Sequence, residues 1–143
     1  MWERAVLIWF VFDKLLVISF INLKLFSYSS CSTCRRAIKW LKNNDIAFEL
    51  IDILKSPPSK EMLISASELY GDRKYLLNTS GAVYRSIGSE VIKKMSDKEF
   101  FEKLFVEPKL IKRPFLFKTN KIFLVGFKEE KWVEKLLWNL KEG

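Results

Sequence analysis

The chain contains two cysteines, Cys31 and Cys34, which are separated by only two residues and lie between a strand-like and a helix-like segment. Residues 23–28 alternate in character and run into serines, as a strand entering a loop does. Residues 46–51, beyond the stop signal Asn43-Asn44, predict a second strand parallel to the first. This order places Cys31 exposed at the mouth of the helix and Cys34 one turn further in, partly covered. Between the strands, the spacing i, i+3, i+4, i+7 predicts one buried helix face, formed by Cys34, Ala37, Ile38 and Leu41.

A CxxC pair beside a βαβ pattern is typical of a thioredoxin-like redox motif. The chain has no histidine, which excludes Ser-His-Asp and Cys-His catalysis and every histidine metal site. A structural zinc ion normally takes four cysteine or histidine ligands, and this chain offers two. We therefore expect no metal site within the chain, the alternative being a metal shared across a dimer, and we regard the cysteines as the strongest nucleophiles present. The alternative is that the pair is structural and inert.

The formal net charge of +8 favours anionic partners such as glutathione, an oxyanion or an acidic protein surface. The lysines are spread along the chain rather than gathered in one basic run, and no helix-turn-helix, RNP or zinc-finger pattern is present. We therefore expect a solvated, lysine-rich surface and no direct contact with nucleic acid.

Residues 1–21 are strongly apolar, but Asp13 and Lys14 divide them into runs too short to cross a bilayer, which needs about 20 apolar residues. No small-residue cleavage site follows, as a secretory signal would require. Three interpretations remain: an interfacial anchor, an extra element packed on the domain, or a translation start assigned too far upstream. We favour the third, because the domain would begin naturally near Asn22, and we expect membrane contact only if residues 1–21 are genuine.

The middle of the chain, residues 59–110, is predicted to be helical. Ser59 can cap a helix that Gly71 ends. The sequence Ser96-Asp97-Lys98-Glu99 matches a capping box at the start of a later helix. Turns between short helices are expected at two glycines, Gly81 and Gly88.

The last part of the chain predicts a β-hairpin and a helix. Residues 115–117 and 122–125 flank Thr119-Asn120, a turn signal in which Asn120 tolerates a left-handed conformation. The full order of βαβ, helical insertion, hairpin and helix predicts an α/β, thioredoxin-like fold with a mixed sheet of about four strands, in a single domain over residues 22–143. The final helix, residues 129–141, should cover the sheet with one stripe: Trp132, Val133, Leu136, Leu137 and Leu140.

Four short motifs accompany this order: Tyr28-Ser29-Ser30-Cys31-Ser32-Thr33-Cys34-Arg35, Leu77-Asn78-Thr79-Ser80-Gly81, Lys112-Arg113-Pro114-Phe115 and Val125-Gly126-Phe127. Over residues 22–137 they resemble the arsenate reductase and Spx-like family of thioredoxin-fold proteins. The resemblance implies that Cys31 is the nucleophile and that Arg113 precedes a cis proline, Pro114, beside the active site. From the residues alone, Arg113-Pro114 could instead begin an edge strand.

The expected position of Cys31 supports the same role. A helix N-terminus favours a thiolate through its unpaired backbone N–H groups and its dipole. Arg35, Arg36 and an approaching Arg113 would act in the same direction.

Two departures from the arsenate reductase pattern bear on function. Arsenate reductases linked to glutaredoxin usually lack a second cysteine at the Cys34 position. Asn78 stands where the insertion's arginine would fall, with Arg85 nearby. The CxxC pair is closer to Spx-type transcriptional regulators, in which it acts as a thiol switch and the domain contacts RNA polymerase.

We therefore predict a cytoplasmic thiol-disulfide oxidoreductase in which Cys31 attacks a small thiol-derived or protein disulfide and Cys34 resolves the adduct. Arg35, Arg113 and Pro114 are the expected substrate-binding residues. No bound cofactor is expected, and glutathione, glutaredoxin or thioredoxin would supply the electrons. The alternatives are a redox-sensing regulator that binds RNA polymerase and a true arsenate reductase.

Overall fold

A computed structural model describes residues 22–138 of the chain. The predictions on residues 1–21 and on Leu140 lie outside the described residues. The described strands form one mixed sheet in the order β2-β1-β3-β4, in which β1 runs parallel to β2 and antiparallel to β3, and β3 runs antiparallel to β4. This confirms the predicted four-stranded, thioredoxin-like sheet. The strands are β1 (Leu23–Ser27), β2 (Glu49–Asp52), β3 (Phe115–Lys118) and β4 (Ile122–Val125).

The crossover between β1 and β2 is helix α1, Ser32–Asn43. Its end is a Schellman motif: the N–H of Asp45 donates to the carbonyl of Lys42, and the N–H of Ile46 donates to the carbonyl of Leu41. Asp45 takes the left-handed conformation that this motif requires, with φ 55°. Because Ile46 belongs to the helix ending, the strand predicted from residue 46 begins only at Glu49.

The inner face of α1 differs in one position from its prediction. Cys34, Ala37 and Leu41 are fully buried against the sheet, as the spacing indicates, but Trp40 is also buried while Ile38 is only partly so. Trp40 turns inward because it packs edge-on against Trp132, with ring centres 5.8 Å apart.

The insertion between β2 and β3 is helical, as predicted. Ser59 caps α2 through the N–H of Met62, and Gly71 ends that helix with φ 81°. Ser96 and Glu99 form the predicted capping box. Arg73 ties the insertion together by contacting Asp97 at 2.8 Å and stacking over the ring of Phe100. The helices are α2 (Lys60–Tyr70), α3 (Ala82–Ile87), α4 (Ser89–Lys94) and α5 (Asp97–Val106), with 3₁₀ turns at Arg73–Leu76 and Pro108–Leu110.

The predicted hairpin between β3 and β4 is present, but its turn differs from the expected one. Lys118 pairs with Ile122, so the turn has three residues, and the left-handed residue is Lys121 with φ 60° rather than Asn120. A three-residue hairpin turn places its third residue in that conformation. The position within the turn therefore outweighs the preference of asparagine.

The final helix begins with α6, Glu129–Trp132, and continues as a π-helical stretch, Val133–Trp138. Trp132 and Leu136 are buried, and Val133 and Leu137 pack against the same core. The predicted stripe is confirmed as far as Leu137.

The sheet separates two apolar cores. One face packs against α1 and the final helix, and we call it the α1 face; its core includes Leu25, Leu41, Leu116 and Trp132. The opposite, insertion face packs against the helical insertion, and its core includes Phe26, Leu63, Phe100, Phe115 and Phe123. Within residues 22–138, no helix is long and apolar enough to span a bilayer.

Candidate functional site

Cys31 is the N-cap residue of α1. Its backbone is extended (φ −96°, ψ 113°), and its Sγ accepts a hydrogen bond from the N–H of Cys34 at 3.2 Å. The sulfur thus occupies the place of the serine, threonine or aspartate oxygen that usually caps a helix. The N–H of Cys31 donates to the carbonyl of Tyr28, which closes the turn between β1 and α1. The side chain is half-buried and lines a cleft, so the predicted position at the helix mouth is confirmed.

Cys34 is more deeply buried than the sequence indicated, with no exposed surface. Burial raises the pKa of its thiol from 9.0 to about 11, and the hydrogen bond to the Cys31 side chain adds to that increase. Hydrogen bonds with Tyr28 and Ser27 act in the opposite direction. At neutral pH, Cys34 is therefore a protonated thiol directly behind Cys31, and both cysteines are free.

The cleft in front of Cys31 has a volume of about 480 Å³ and is built by three parts of the fold. These are the start of α1, the turn after the first 3₁₀ segment, and the loops on either side of the hairpin. Of the described residues that line it, none is acidic, and none of its cationic side chains takes part in an ion pair found among residues 22–138. The cleft therefore favours anionic groups. Its four cations are Arg36, Lys112, Arg113 and Lys128.

Arg113 lies in the cleft, as the resemblance implied. Its guanidinium carbon lies 5.0 Å from the centre of the Tyr28 ring, and its Nη1 donates to the carbonyl of Lys109 at 3.3 Å. Its buried Nε has no hydrogen-bond partner among the described residues. The Arg113–Pro114 peptide bond is cis, and Pro114 is buried behind the arginine. Pro114 starts no edge strand: β3 begins one residue later and is paired on both sides.

Arg35, a predicted substrate-binding residue, is not among the residues that line the cleft. Its side chain is exposed and donates to the carbonyl of Ser29 at 2.9 Å. The neighbouring Arg36 lines the cleft instead. Adjacent helical residues point about 100° apart, and only the docking of α1 on the sheet decides which of the two faces the cleft. Arg85 is likewise not among the residues that line the cleft, and its Nη1 donates to the carbonyl of Ser80 at 2.6 Å.

The insertion contributes Asn78 and Ser80 to the cleft wall. The N–H of Asn78 donates to the carbonyl of Leu110 at 2.8 Å, and the Asn78 amide contacts the Lys109 carbonyl. A Cβ on Gly81 would lie 2.7 Å from Asn78 Nδ2, which explains the glycine in this motif. Asn78 therefore ties the turn after the first 3₁₀ segment to residues 109–110, and it also lines the cleft.

The remaining wall is the Val125-Gly126-Phe127 segment. Gly126 has φ 77°, its N–H donates to the Pro114 carbonyl at 2.8 Å, and its carbonyl accepts from the buried Trp132 indole at 3.1 Å. A Cβ on Gly126 would lie 3.0 Å from Lys112 Cε. The absence of a side chain at Gly126 thus lets Lys112 pack closely over it. Lys112 and Lys128 both line the cleft, a pair that sequence reasoning missed. Lys112 stands beside the Arg113-Pro114 motif, which was the available signal.

No group of three or more cysteine, aspartate or glutamate side chains within residues 22–138 is arranged to hold a metal ion. The absence of a resident metal stays a prediction from the composition.

The comparisons with known proteins agree with this architecture. A model of the ArsC family matches residues 26–135. The uncharacterized protein YusI of Bacillus subtilis is 40% identical over 115 residues, covering 79% of this chain and 97% of YusI. The global transcriptional regulator Spx of Streptococcus agalactiae serotype V is 30% identical over 107 residues, covering 74% of this chain and 77% of Spx.

Among solved structures, the crystal structure of a possible arsenate reductase from Streptococcus mutans UA159 superposes with a TM-score of 0.72. It is 35% identical and covers 78% of this chain and 97% of that one. The resemblance expected from the four motifs is therefore confirmed. Together with the family match over residues 26–135, these similarities establish that the chain belongs to the ArsC family.

Proposed function

We propose that this chain is a thiol-disulfide oxidoreductase in which Cys31 attacks and Cys34 resolves. The observation that carries the proposal is the placement of Cys31 at the N-cap of α1, in a cleft with four cationic side chains, with the protonated Cys34 thiol directly behind it. Reactive cysteines characteristically occupy such electropositive, partly exposed positions at helix N-termini.

The first step forms a mixed disulfide. The Cys31 thiolate attacks one sulfur of a substrate disulfide, the S–S bond breaks, and the other half leaves as a thiolate that takes a proton from water. Before this step, the hydrogen bond and the charge of Cys31 help to raise the pKa of Cys34. Once Cys31 is bonded in the mixed disulfide, both effects are removed. This favours deprotonation of Cys34 before it attacks that disulfide.

In the second step, the Cys34 thiolate attacks the Cys31 sulfur and the bound half of the substrate leaves as a thiol. The two cysteines have then lost two electrons and the substrate disulfide has gained them. Two molecules of reduced glutathione, a glutaredoxin or a thioredoxin then reduce the Cys31–Cys34 disulfide to two thiols. A cytoplasmic location belongs to this proposal, because a reducing compartment sustains the cycle.

The cations of the cleft have two roles in this scheme. Arg36, Lys112 and Lys128 favour an anionic substrate and stabilise the leaving thiolate by charge. Arg113, held over Tyr28 beside Pro114, forms the wall opposite the helix start.

The test compares Cys31→Ser and Cys34→Ser with the wild type, using glutathione-coupled reduction of bis(2-hydroxyethyl) disulfide and mass spectrometry of the protein. We expect Cys31→Ser to lose at least about 1000-fold in turnover, since no other nucleophile replaces it. Cys34→Ser should accumulate a mixed disulfide on Cys31. Full activity in Cys31→Ser would show that the assignment of the nucleophile is wrong.

A second candidate is a redox-dependent regulator that binds RNA polymerase. It is favoured by the 30% identity to a protein named as a global transcriptional regulator. Purified RNA polymerase that binds the oxidised chain stoichiometrically and releases the reduced chain, without measurable turnover, would support this function over the enzyme. An arsenate reduction assay with glutathione and glutaredoxin tests the third function, which the similarity to a possible arsenate reductase suggests.

A further inference from the structure

A second cavity, of about 410 Å³, lies between the end of α2, the edge strand β4 and helix α6. We call it the distal groove. Its walls include two apolar side chains that are largely open to solvent, Leu69 (60% exposed) and Tyr75 (48% exposed), and it also contains Phe123 and Trp132. Such side chains on one concave surface indicate a place where an apolar group can be buried.

The distal groove adjoins the cysteine cleft. Lys112, Val125, Gly126 and Lys128 line both cavities. A long ligand that reaches Cys31 and passes over Gly126 would therefore meet the groove. A small oxyanion or a small neutral disulfide would leave the groove empty.

The charge around the distal groove is of one sign. Lys112, Lys128 and Lys131 contribute to its lining, and none of the described lining residues is acidic. Lys131 has a carboxylate nearby, that of Glu134, but at 3.7 Å and with both side chains largely exposed. An exposed ion pair of this kind leaves most of the positive potential in place. The surface is complementary to an apolar side chain that is flanked by carboxylates.

The edge of the sheet is closed to a further strand at this point. The N–H of Val125 donates to the hydroxyl of Tyr70 at 2.9 Å. Since this N–H would have to pair with an added strand, the occupant lies in the groove on side chains rather than extending the sheet.

From these observations we propose that the distal groove binds an acidic polypeptide segment of the substrate, which inserts an apolar side chain between Leu69 and Tyr75 while its disulfide lies at Cys31. This inference rests on the proposed oxidoreductase function and specifies its substrate class as a protein or peptide disulfide.

The test uses Cys34→Ser protein, so that the adduct on Cys31 persists, at low ionic strength. Three peptides each carry one cysteine as a mixed disulfide with 2-mercaptoethanol. The first contains glutamates and a leucine, the second replaces the glutamates with lysines, and the third replaces the leucine with glycine. Cys31 attacks the peptide sulfur, and 2-mercaptoethanol leaves as the thiolate and is protonated by water. The rate of peptide adduct formation is followed by mass spectrometry.

We expect the first peptide to react at least about tenfold faster than the second, because opposite charge raises association rates, and faster than the third. Leu69→Glu should remove most of this advantage and Lys131→Glu part of it. Neither residue lines the cysteine cleft, so both variants should react with bis(2-hydroxyethyl) disulfide at the rate of the parent protein. Val91→Glu is the matched control, since Val91 is 54% exposed and lies in neither cavity.

Two results separate this inference from the function on which it rests. Equal rates for all three peptides, or rates that Leu69→Glu leaves unchanged, would overturn the groove assignment while the reaction at Cys31 stands. Absence of any adduct, including that with bis(2-hydroxyethyl) disulfide, would overturn the proposed function and the groove with it. A dimer that Leu69→Glu dissociates would assign the groove to a second copy and also overturn the proposal.

Discussion

The two faces of the sheet differ in what they give to the cysteine cleft. The α1 face contributes Cys31 and Arg36 from the start of a single helix that follows β1, with Cys34 buried behind them. The insertion side contributes the wall of Asn78 and Ser80, from residues far along the chain. Cys31 is thus placed by local structure, whereas the rest of the cleft is assembled at long range.

The difference teaches that reactivity and selectivity can be altered separately in this protein. The aromatic side chains of Trp40, Phe127 and Trp132 pack directly against one another on the α1 face, and Phe127 also lines the cleft. The insertion is held by its own contacts, including those of Arg73 and the Ser96 cap. A change in the α1 core should therefore reach Cys31, and a change in the insertion caps should not.

The largest effect is expected from Trp132→Ala. This ring is 1% exposed, and its indole holds the Gly126 carbonyl, so its loss should lower the free energy of unfolding by about 3–5 kcal/mol in urea titrations. It should also change the rate at which iodoacetamide alkylates Cys31. Phe100→Ala, on the insertion face, should destabilise by a similar amount but leave that rate unchanged in the folded protein.

Trp132→Phe provides the matched control, because it keeps an aromatic ring and removes the hydrogen bond. We expect a smaller loss of stability than in Trp132→Ala. If Trp132→Ala and Phe100→Ala changed the alkylation rate equally, the expected difference between the two faces in their effect on Cys31 would be wrong.

The second prediction is a pH dependence of folding stability that arises from Cys34, on the α1 face. In the unfolded chain the Cys34 thiol loses its proton near its ordinary pKa of 9.0, whereas in the folded protein it does so at about 11. Between these values the folded state binds more protons than the unfolded state, so stability falls as pH rises through this window. The loss should reach about 2 kcal/mol by pH 11.

The measurement compares urea unfolding of the reduced wild type and Cys34→Ala from pH 8 to pH 11. Lysine deprotonation affects both proteins, so the difference between their profiles isolates Cys34. Parallel profiles would contradict the assigned burial of this thiol.

The smallest effect is expected in the insertion. Ser96→Ala removes the hydroxyl that accepts the Glu99 N–H and should cost about 1 kcal/mol of stability. The rate of Cys31 alkylation should stay as in the wild type. Ser56→Ala, an exposed serine outside the helices, is the control and should change neither quantity. A change in the rate of Cys31 alkylation in Ser96→Ala would show that the insertion influences Cys31.

The features that could be predicted from the sequence are those with local causes. The Ser59 and Ser96 caps and the Gly71 helix ending each depend on residues within one turn. The position of Cys31 follows in the same way, because a strand, a short loop and a helix are consecutive in the chain. The order of elements along the chain was also predicted from the residues, before the family motifs were considered.

The errors have causes outside the local pattern. The left-handed residue of the hairpin turn is Lys121 because pairing of Lys118 with Ile122 sets the length of the turn. Trp40 is buried because the distant Trp132 lies against it. The pattern of apolar residues along one element cannot show that Lys118 pairs with Ile122 or that Trp40 packs against Trp132.

The sequence by itself determined the family, through its four motifs, and the position of Cys31 and Cys34 at the start of a helix, because these two cysteines are close neighbours in the chain. Only the tertiary structure decided the surroundings of that pair. It selected Arg36 over Arg35 for the cleft lining, placed Lys112 and Lys128 in the walls of both cavities, and left an open groove beside the cleft. The physical reason is distance: helix capping acts within four residues, whereas a binding cleft is formed by side chains that only folding brings together.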